Sequence, residues 1–198
     1  MQHYSCTAGL LPTLQSGLRP RHSTETAILR VLSDILSDVD RGDFAALVLL
    51  HPSAAFDTVD HDILLQRLQT SFGIVGAALK WFQSYHDQSY PVRSSWHGWL
   101  DYSRLICGVP QRLVLGSILF IMYTADLVSL IQHHCLSPHL YADDTQIYGA
   151  CAPSDVGPLL QRVTACLKSV AAWMSTNRLQ LNSDKTEFMW LTTARSQH

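Results

Sequence analysis

The chain is short of charge and has no surplus of basic residues. Only 15% of its 198 residues are charged, 47% are hydrophobic, and the formal net charge is −2. This balance excludes a disordered chain and predicts a packed globular domain. The missing basic surplus also counts against nucleic acid as a binding partner. Whole-chain composition does not exclude a local basic cleft, however.

Ordered cysteine and histidine patterns are missing as well. The five cysteines are scattered, odd in number and never spaced as C-x-x-C. This excludes a disulfide framework and favours thiols kept reduced inside a cell, without distinguishing cytoplasm from nucleus. The ten histidines show no spacing typical of a zinc site.

Targeting segments, internal repeats and low-complexity linkers are not seen either. The N-terminus lacks the basic start and the continuous apolar run of a signal peptide. Residues 113–131 are about as long as a membrane span. They include Asp126 and several hydroxyl side chains and have no flanking positive cluster. We therefore expect a buried helix here and no membrane partner.

Helical periodicity is clearest in three places. Ser23 can cap a helix whose apolar residues follow the i, i+3/i+4 rule as far as Val39. Asp60 can cap a second helix, and a third is predicted between residues 153–155 and Asn177.

Strand-type runs lie between these helices. Residues 44–50 (FAALVLL) form a continuous apolar run that predicts a strand buried on both faces, broken after it by His51 and Pro52. Hairpins are predicted over residues 90–107, over residues 139–148, and between residues 179–181 and 187–192. The order of elements favours an α+β fold, an antiparallel sheet backed by helices.

Two adjacent carboxylates, Asp143 and Asp144, lie at the tip of the second of these hairpins, residues 139–148 (HLYADDTQIY). Neighbouring ionised carboxylates repel, and a site that keeps both charged usually supplies a cation such as Mg²⁺. Acidic residues are also ordinary turn formers. The pair alone therefore leaves a metal site and a plain turn both open.

Two further segments change this balance. Residues 51–61 (HPSAAFDTVDH) follow the first buried strand, and residues 108–116 (GVPQRLVLG) form a turn before an apolar helix. With the Asp-Asp hairpin, their order and spacing resemble the palm of reverse transcriptases of non-LTR (LINE-type) retrotransposons. Residues 15–27 and 173–188 resemble the flanking segments of that family, so that the similarity covers roughly residues 11–193.

The resemblance implies an RNA-directed DNA polymerase, in which a primer 3′-hydroxyl attacks a deoxynucleotide opposite a nucleic-acid template. Two Mg²⁺ or Mn²⁺ ions would assist if the site is functional, and no cofactor is expected otherwise. By resemblance Asp143 is the main hairpin metal ligand and Asp144 is its neighbour. The implied nucleotide contacts are Phe56 under the sugar, Gln111, and Lys185 near the departing phosphates.

The sequence also departs from the family pattern. The first metal-binding aspartate lies five residues before the sugar-gating aromatic in that family, and here this place is His51, followed by Pro52. Arg112 and Leu113 replace an expected glycine and serine. Asp57 is nearby but matches another place in the pattern. Whether the chain is an enzyme therefore stays open at this point.

The expected organisation is an irregular N-terminal segment (residues 1–22), a palm-like domain (23–193) and a short tail (194–198). Nothing outside residues 11–193 resembles the rest of the fingers or a thumb. The resemblance therefore implies a partial fingers segment, no thumb and no endonuclease domain, as in a palm cut from a larger protein. A palm without these neighbours would expose apolar surface, which predicts low solubility.

Two functions follow as hypotheses. The first is a degenerate reverse-transcriptase domain with an RNA template, a DNA primer and a deoxynucleotide as weakened or lost partners, contacted in part by Arg19, Arg21 and Arg30. The second is a structural or protein-interaction module that uses the leftover palm fold independently of nucleic acid. In that reading three aromatic residues could serve as contacts, although no obligate protein partner is evident: Trp96, Trp99 and Tyr102.

Overall fold

The computed structural model describes residues 14–19, 21–86, 90–93, 100–103, 107–109 and 114–192. Helices and short strands alternate along these residues. The helices are α1 (Thr24–Asp40), α2 (His61–Thr70), α3 (Gly76–His86), α4 (Val114–Tyr123), α5 (Asp126–His133) and α6 (Val156–Thr176). The strands are β1 (Phe44–Leu50), β2 (Pro52–Ser53), β3 (Tyr90–Arg93), β4 (Leu100–Ser103), β5 (Ser137–Tyr141), β6 (Asp144–Cys151), β7 (Gln180–Leu181) and β8 (Glu187–Leu191).

A four-stranded antiparallel sheet with the order β5-β6-β1-β8 forms the centre of the domain. The apolar run of β1 lies between β6 and β8, with Leu47 opposite Tyr148 on one side and Met189 on the other. Five of its seven residues are buried, all but Phe44 and Leu49, and these five belong to the cores on the two faces of the sheet. The prediction of a strand buried on both faces is confirmed.

The two faces of this sheet carry different cores. On one face, Ala46, Val48 and Leu50 join a large cluster with buried residues of α2, α4, α5 and α6. On the other face, Ala45 and Leu47 pack in a smaller cluster that includes buried residues of α1. Alternate side chains of a strand point to opposite faces, so the odd-numbered and even-numbered residues of β1 serve different cores.

Helix α1 begins where the sequence predicts. The side chain of Ser23 accepts a hydrogen bond from the backbone amide of Thr26, and the side chain of Thr26 accepts one from the amide of Ser23. The apolar residues of α1 are not all buried, however, because the sheet covers only one side of the helix. Four of them face the sheet: Ala27, Val31, Ile35 and Val39. Four others form an outer stripe of α1, with 38 to 63% of their surface exposed: Ile28, Leu29, Leu32 and Leu36.

The apolar stretch predicted as one long helix is two helices. The helix is interrupted at Thr124 and Ala125, and the hydroxyl of Thr124 donates to the carbonyls of Phe120 and Ile121, which competes with the regular helical hydrogen bonds. Among the described residues, Leu115–His133 is one stretch long and apolar enough to cross a membrane, and 61% of it is buried inside the protein. Its burial is that of a core element, as the sequence predicts.

The hairpin predicted between residues 179–181 and 187–192 is wrong. Strand β7 pairs with β2, and β8 pairs with the free edge of β1. A 3-10 turn, Ser183–Lys185, lies between them, and the side chain of Asn182 accepts hydrogen bonds from the amides of Asp184 and Lys185. This capped turn directs the two strands to different sheets. Strand β1 ends at Leu50, so the predicted break at His51 and Pro52 is confirmed, and Pro52 begins the separate strand β2.

The predicted hairpin over residues 90–107 is confirmed in its strands, since β3 and β4 pair with Tyr90 opposite Ser103. Trp96 and Trp99 lie outside the described residues, as does the side chain of Tyr102.

Hydrogen bonds and ring contacts of Arg67 connect α2, α4 and α6 beside the large core. The guanidinium of Arg67 lies between the rings of Tyr123 and Trp173, about 5 Å from each centroid (5.2 and 5.1 Å). Arg67 donates to the side-chain oxygen of Asn177 (2.8 Å) and to the carbonyl of Tyr123, and the hydroxyl of Tyr123 donates to the carbonyl of Asn177 (2.6 Å). Asn177 also ends α6, as the sequence predicts.

Candidate active site

The Asp-Asp hairpin is formed by β5 and β6, with Tyr141 opposite Asp144 at its end. Ala142 and Asp143 make the turn, and Ala142 has a positive φ of 54°. Asp143 is therefore a half-buried turn residue at the tip, and Asp144 is the first residue of β6. The predicted hairpin with the acids at its tip is confirmed.

His51 lies against this tip. In the register of β1 with β6, Leu49 is opposite Gln146, and the next residues on the same face are His51 and Asp144. Nδ1 of His51 donates a hydrogen bond to Oδ1 of Asp144 (2.7 Å), with 36% and 47% of the two side chains exposed. The register of β1 with β6 thus brings position 51 to the hairpin, and the side chain at this position is an imidazole.

Asp143 has a different environment from its neighbour. Burial raises the pKa of the Asp143 carboxyl above its usual value, and the nearby charge of Asp144 adds to this rise. A backbone hydrogen bond and the nearness of His51 lower that pKa, but the net direction is upward. Asp143 consequently holds a proton more readily than an ordinary surface aspartate.

Lys185 lies in the turn that is tied to His51. The backbone amide of Asn182 donates to the carbonyl of His51 (2.9 Å), and Asn182 also caps the 3-10 turn that contains Lys185. The Lys185 side chain is exposed. A cationic residue therefore belongs to the turn that contacts position 51, and its role as a phosphate contact stays a prediction.

Phe56 contacts the start of the second predicted segment, residues 108–116. The Phe56 ring is half-buried against Phe120, with centroids 4.9 Å apart, and its carbonyl accepts from the amide of Val109 (2.7 Å). Nε2 of His61 donates to the carbonyl of Gly108 (2.7 Å). Gly108 has a φ of 98°, a conformation that suits glycine. Gln111, Arg112 and Leu113 follow directly and lie outside the described residues.

The three arginines proposed as nucleic-acid contacts lie around the start of α1. Arg21 and Arg30 are exposed, and Arg19 is half-buried. The positive charge of Arg30 helps to lower the pKa of His139, for which burial is the larger cause. Arg30 is therefore close to the face of the hairpin that α1 covers.

One group of residues in contact with the site had no role in the sequence reading. Gln15, Ser16 and Gly17 pair with the outer edge of β5 and reach the turn at Ala142. The signal was present, since these residues belong to a segment that resembles the family, but nothing in the sequence indicated which part of the fold they contact.

The side chains described here do not fit a pair of Mg²⁺ ions. Within the described residues, no group of three or more His, Cys, Asp or Glu side chains could hold a metal ion. Mg²⁺ prefers oxygen ligands, and a neutral imidazole brings no negative charge. His51 also holds one oxygen of Asp144 in a hydrogen bond. An imidazole at position 51 therefore brings no negative charge to a metal ion and occupies one oxygen of Asp144.

Sequence comparisons point to one family. The model described as reverse transcriptase (RNA-dependent DNA polymerase) matches residues 2–196. The chain is 30% identical over 188 residues to a probable RNA-directed DNA polymerase from transposon BS of Drosophila melanogaster, covering 89% of this chain and 20% of that protein. It is 26% identical over 146 residues to the RNA-directed DNA polymerase from mobile element jockey of the same species, covering 69% and 15%.

Solved structures share the fold. Apo telomerase from Candida tropicalis, truncated from its C-terminal domain, matches with a TM-score of 0.64 at 16% identity over 92% of this chain and 37% of its own. Telomerase from Candida albicans, in complex with a TWJ fragment of telomeric RNA, matches with a TM-score of 0.64 at 16% identity over 87% and 31%. These likenesses confirm the predicted α+β, polymerase-like fold. The chain spans a fifth or less of the two curated relatives.

Proposed function

We propose a degenerate polymerase palm, since the chain belongs to the reverse transcriptase (RNA-dependent DNA polymerase) family, whose model matches residues 2–196. It derives from a non-LTR retrotransposon, and in our proposal it has little or no polymerase activity. The observation that carries the proposal is the 2.7 Å hydrogen bond between His51 and Asp144. An imidazole stands where the family has its first metal-binding carboxylate, and it engages a second carboxylate.

The electrostatics of the site support this proposal. Metal ions in nucleotidyl transfer stabilise the attacking and leaving oxygens, and they need negative ligands to hold them. Replacing the first carboxylate by His51 removes one negative charge, and burial raises the pKa of the Asp143 carboxyl, which disfavours its charged form. Loss of a single positioned group typically costs orders of magnitude in rate.

Residual nucleotide binding would use the groups that remain. In our proposal, the half-buried ring of Phe56 still restricts the sugar to a deoxyribose, and Lys185 still attracts the phosphates. Gln111 retains its proposed nucleotide contact. An RNA template and a DNA primer would bind weakly, in part through Arg21 and Arg30, by charge attraction that falls with added salt.

Primer extension on an RNA template tests the proposal. We expect no extension by the native chain with Mg²⁺, even at high protein concentration. Template-dependent synthesis by the native chain that disappears in Asp143→Ala would contradict it. The variant with His51→Asp, Arg112→Gly and Leu113→Ser restores the family residues at the three altered positions, and it is the variant in which synthesis is expected first.

Metal binding gives a test that does not require turnover. We expect His51→Asp to bind Mg²⁺ or Mn²⁺ at least about tenfold more tightly than the native chain, because a carboxylate replaces a neutral ring. The binding is read from the nuclear magnetic resonance (NMR) signals of Asp143 and Asp144 during titration. His133→Asp adds the same group at an exposed position of α5 and is the matched control. Equal binding by the two variants would contradict the proposed site.

A structural or protein-interaction module is the second candidate, and the outer stripe of α1 favours it. Four large aliphatic side chains stand exposed on a helix whose other side is buried against the sheet. Co-purification of one protein that is unaffected by salt would support this candidate. Nucleic-acid binding that weakens steeply with salt would favour the polymerase remnant.

A further inference from the structure

One buried side chain holds both polar backbone groups of Ala142, the residue before Asp143. Gln15 is 1% exposed. Its Oε1 accepts from the amide of Ala142 (3.1 Å), and its Nε2 donates to the carbonyl of Ala142 (3.3 Å). The same Oε1 accepts from the amide of Gly17 (2.8 Å). The contact is therefore specific to an amide side chain, which supplies a donor and an acceptor together.

The residue held in this way is in an unfavourable conformation. Ala142 has a φ of 54°, in the left-handed region that a side chain with a Cβ disfavours. Such a conformation persists only where the surroundings impose it. The two hydrogen bonds of Gln15 are contacts that impose it, and they do so one residue before Asp143.

The residues next to Gln15 fix the same edge. The amide of Ser16 donates to the carbonyl of Leu140 (2.8 Å), and the amide of Leu140 donates to the carbonyl of Leu14 (2.9 Å). The hydroxyl of Ser16 forms a buried hydrogen bond with Nε2 of His139 (3.0 Å). The segment from Leu14 to Ser16 thus holds β5 at His139 and Leu140, close to the turn.

The backbone at Gly17 also lies very close to the turn at Ala142. A Cβ added to Gly17 would lie 2.6 Å from the backbone nitrogen of Ala142, nearer than a carbon atom can come without displacement. Only glycine lets the chain pass the turn at this distance. Residues 15–17 therefore contact the turn at Ala142 directly and not only strand β5.

We infer that Gln15 is a positioning residue, which sets the orientation of the Asp143-Asp144 turn by holding the backbone of Ala142. Through this turn it also places Asp144 against His51. The inference rests on the proposed function only in treating the turn as the remnant of a metal site. It assigns Gln15 no contact with a nucleotide or a metal ion.

Gln15→Met tests the inference, because methionine keeps the length and volume of the side chain and removes its polar atoms. Two NMR measurements on the whole chain report the outcome. We expect hydrogen exchange at the Ala142 amide to become about tenfold faster, the equivalent of one lost hydrogen bond. The ¹⁵N signal of His51 Nδ1 should also move towards that of an imidazole without a partner. Gln66→Met, at an exposed position of α2, is the matched control and should change neither.

A second variant keeps the test decisive if the methionine variant does not fold. Gln15→Glu retains an acceptor for the Ala142 and Gly17 amides and loses the donor to the carbonyl. We expect its Ala142 amide to exchange within about threefold of the native rate, since the acceptor bond is retained.

Three outcomes would overturn the inference. Unchanged exchange at Ala142 in Gln15→Met would show that the amide is held by something else. Faster exchange with an unchanged His51 signal would leave Gln15 as a local contact with no effect on the orientation of the turn. Fast exchange in the Glu variant would exclude the role of the acceptor. None of these measurements uses catalysis, so a failure of the proposed function in primer extension is seen separately.

Discussion

Adjacent residues of one type differ in chemistry here because their surroundings differ. Asp144 accepts a hydrogen bond from His51, whereas Asp143 lies half-buried in the turn and its pKa is raised chiefly by burial. A raised pKa in the folded protein means that the folded state binds the proton more tightly than the unfolded chain does. The stability that Asp143 contributes is therefore complete below its ordinary pKa of 3.8 and is lost as the pH rises through the raised value.

This sign gives a prediction for Asp143→Asn, whose side chain is neutral at every pH. Relative to the native chain, the variant should gain free energy of unfolding as the pH rises above about 4, with no gain at about pH 3. Urea denaturation at pH 3 and pH 7 measures the difference. Asp62→Asn is the control, because Asp62 favours the positive first turn of α2 and its loss should act in the opposite direction. A variant less stable than the native chain at pH 7 would contradict the prediction.

Sequence patterns named most of the individual residues at the site. They predicted Asp143, Asp144, Phe56 and Lys185 as site residues, with His51 at the place of a carboxylate, and these roles stay predictions. They could not show that His51 bonds to Asp144, because that contact depends on the register of two strands about a hundred residues apart. The role of Gln15 was missed for the same reason.

At the scale of elements, Asp60 joins the start of α2 to the end of α6. Its carboxylate accepts from the amide of Ile63 (3.0 Å) and forms an ion pair with Arg178 (2.7 Å), although Asp60 itself is 4% exposed. Arg178 has a positive φ of 54° directly after the helix. Asp60, which the sequence predicts as the cap of α2, therefore also holds Arg178 in the turn after α6.

Asp60→Ala should lower the free energy of unfolding by about 2–3 kcal/mol, since it removes a helix cap and leaves Arg178 without this partner. Asp60→Asn keeps an oxygen for the cap and should cost less. Ser23→Ala, which removes an exposed cap, should cost about 1 kcal/mol. Urea denaturation of the three variants gives the order. Equal losses for Asp60→Ala and Ser23→Ala would show that the Arg178 link adds no stability.

Helix starts were predictable because a cap is a local signal. Strand partners were not, since a two-residue strand such as Gln180–Leu181 pairs with whichever edge the rest of the fold leaves free. The capped turn at Ser183–Lys185 was read as a hairpin turn, but it separates two strands of different sheets. The break at Thr124 was hidden because its apolar neighbours continue on both sides of it.

At the scale of the whole molecule, two groups of exposed apolar side chains bear on association, among others in the described residues. One is the outer stripe of α1. The other is β8, where Phe188 and Trp190 are about 40% exposed (42% and 40%) and contact each other edge to face. Exposed apolar patches of this kind promote association, which supports the expectation of low solubility.

Replacing Leu29 and Leu36 together by glutamine should raise the concentration at which the chain stays monomeric by about threefold or more, because it interrupts the outer stripe of α1. The melting temperature should change little, since both side chains are exposed. Light scattering and thermal melts measure the two effects. Val31→Gln changes a buried residue of the same helix and should lower the melting temperature. A native chain that is already monomeric at high concentration would contradict the expectation.

The contact between Gln15 and Ala142 also has a consequence in time. The two residues are 127 positions apart, so Gln15 leaves the ribosome long before its partner exists. At synthesis rates of 5–20 residues per second, this interval is about 6–25 seconds. The contact closes a loop of 127 residues, and such long-range contacts form late because the entropy of loop closure must be overcome first. The turn with the two aspartates therefore gains its contact with Gln15 late in folding, together with other long-range pairings of the sheet such as that of β1 with β8.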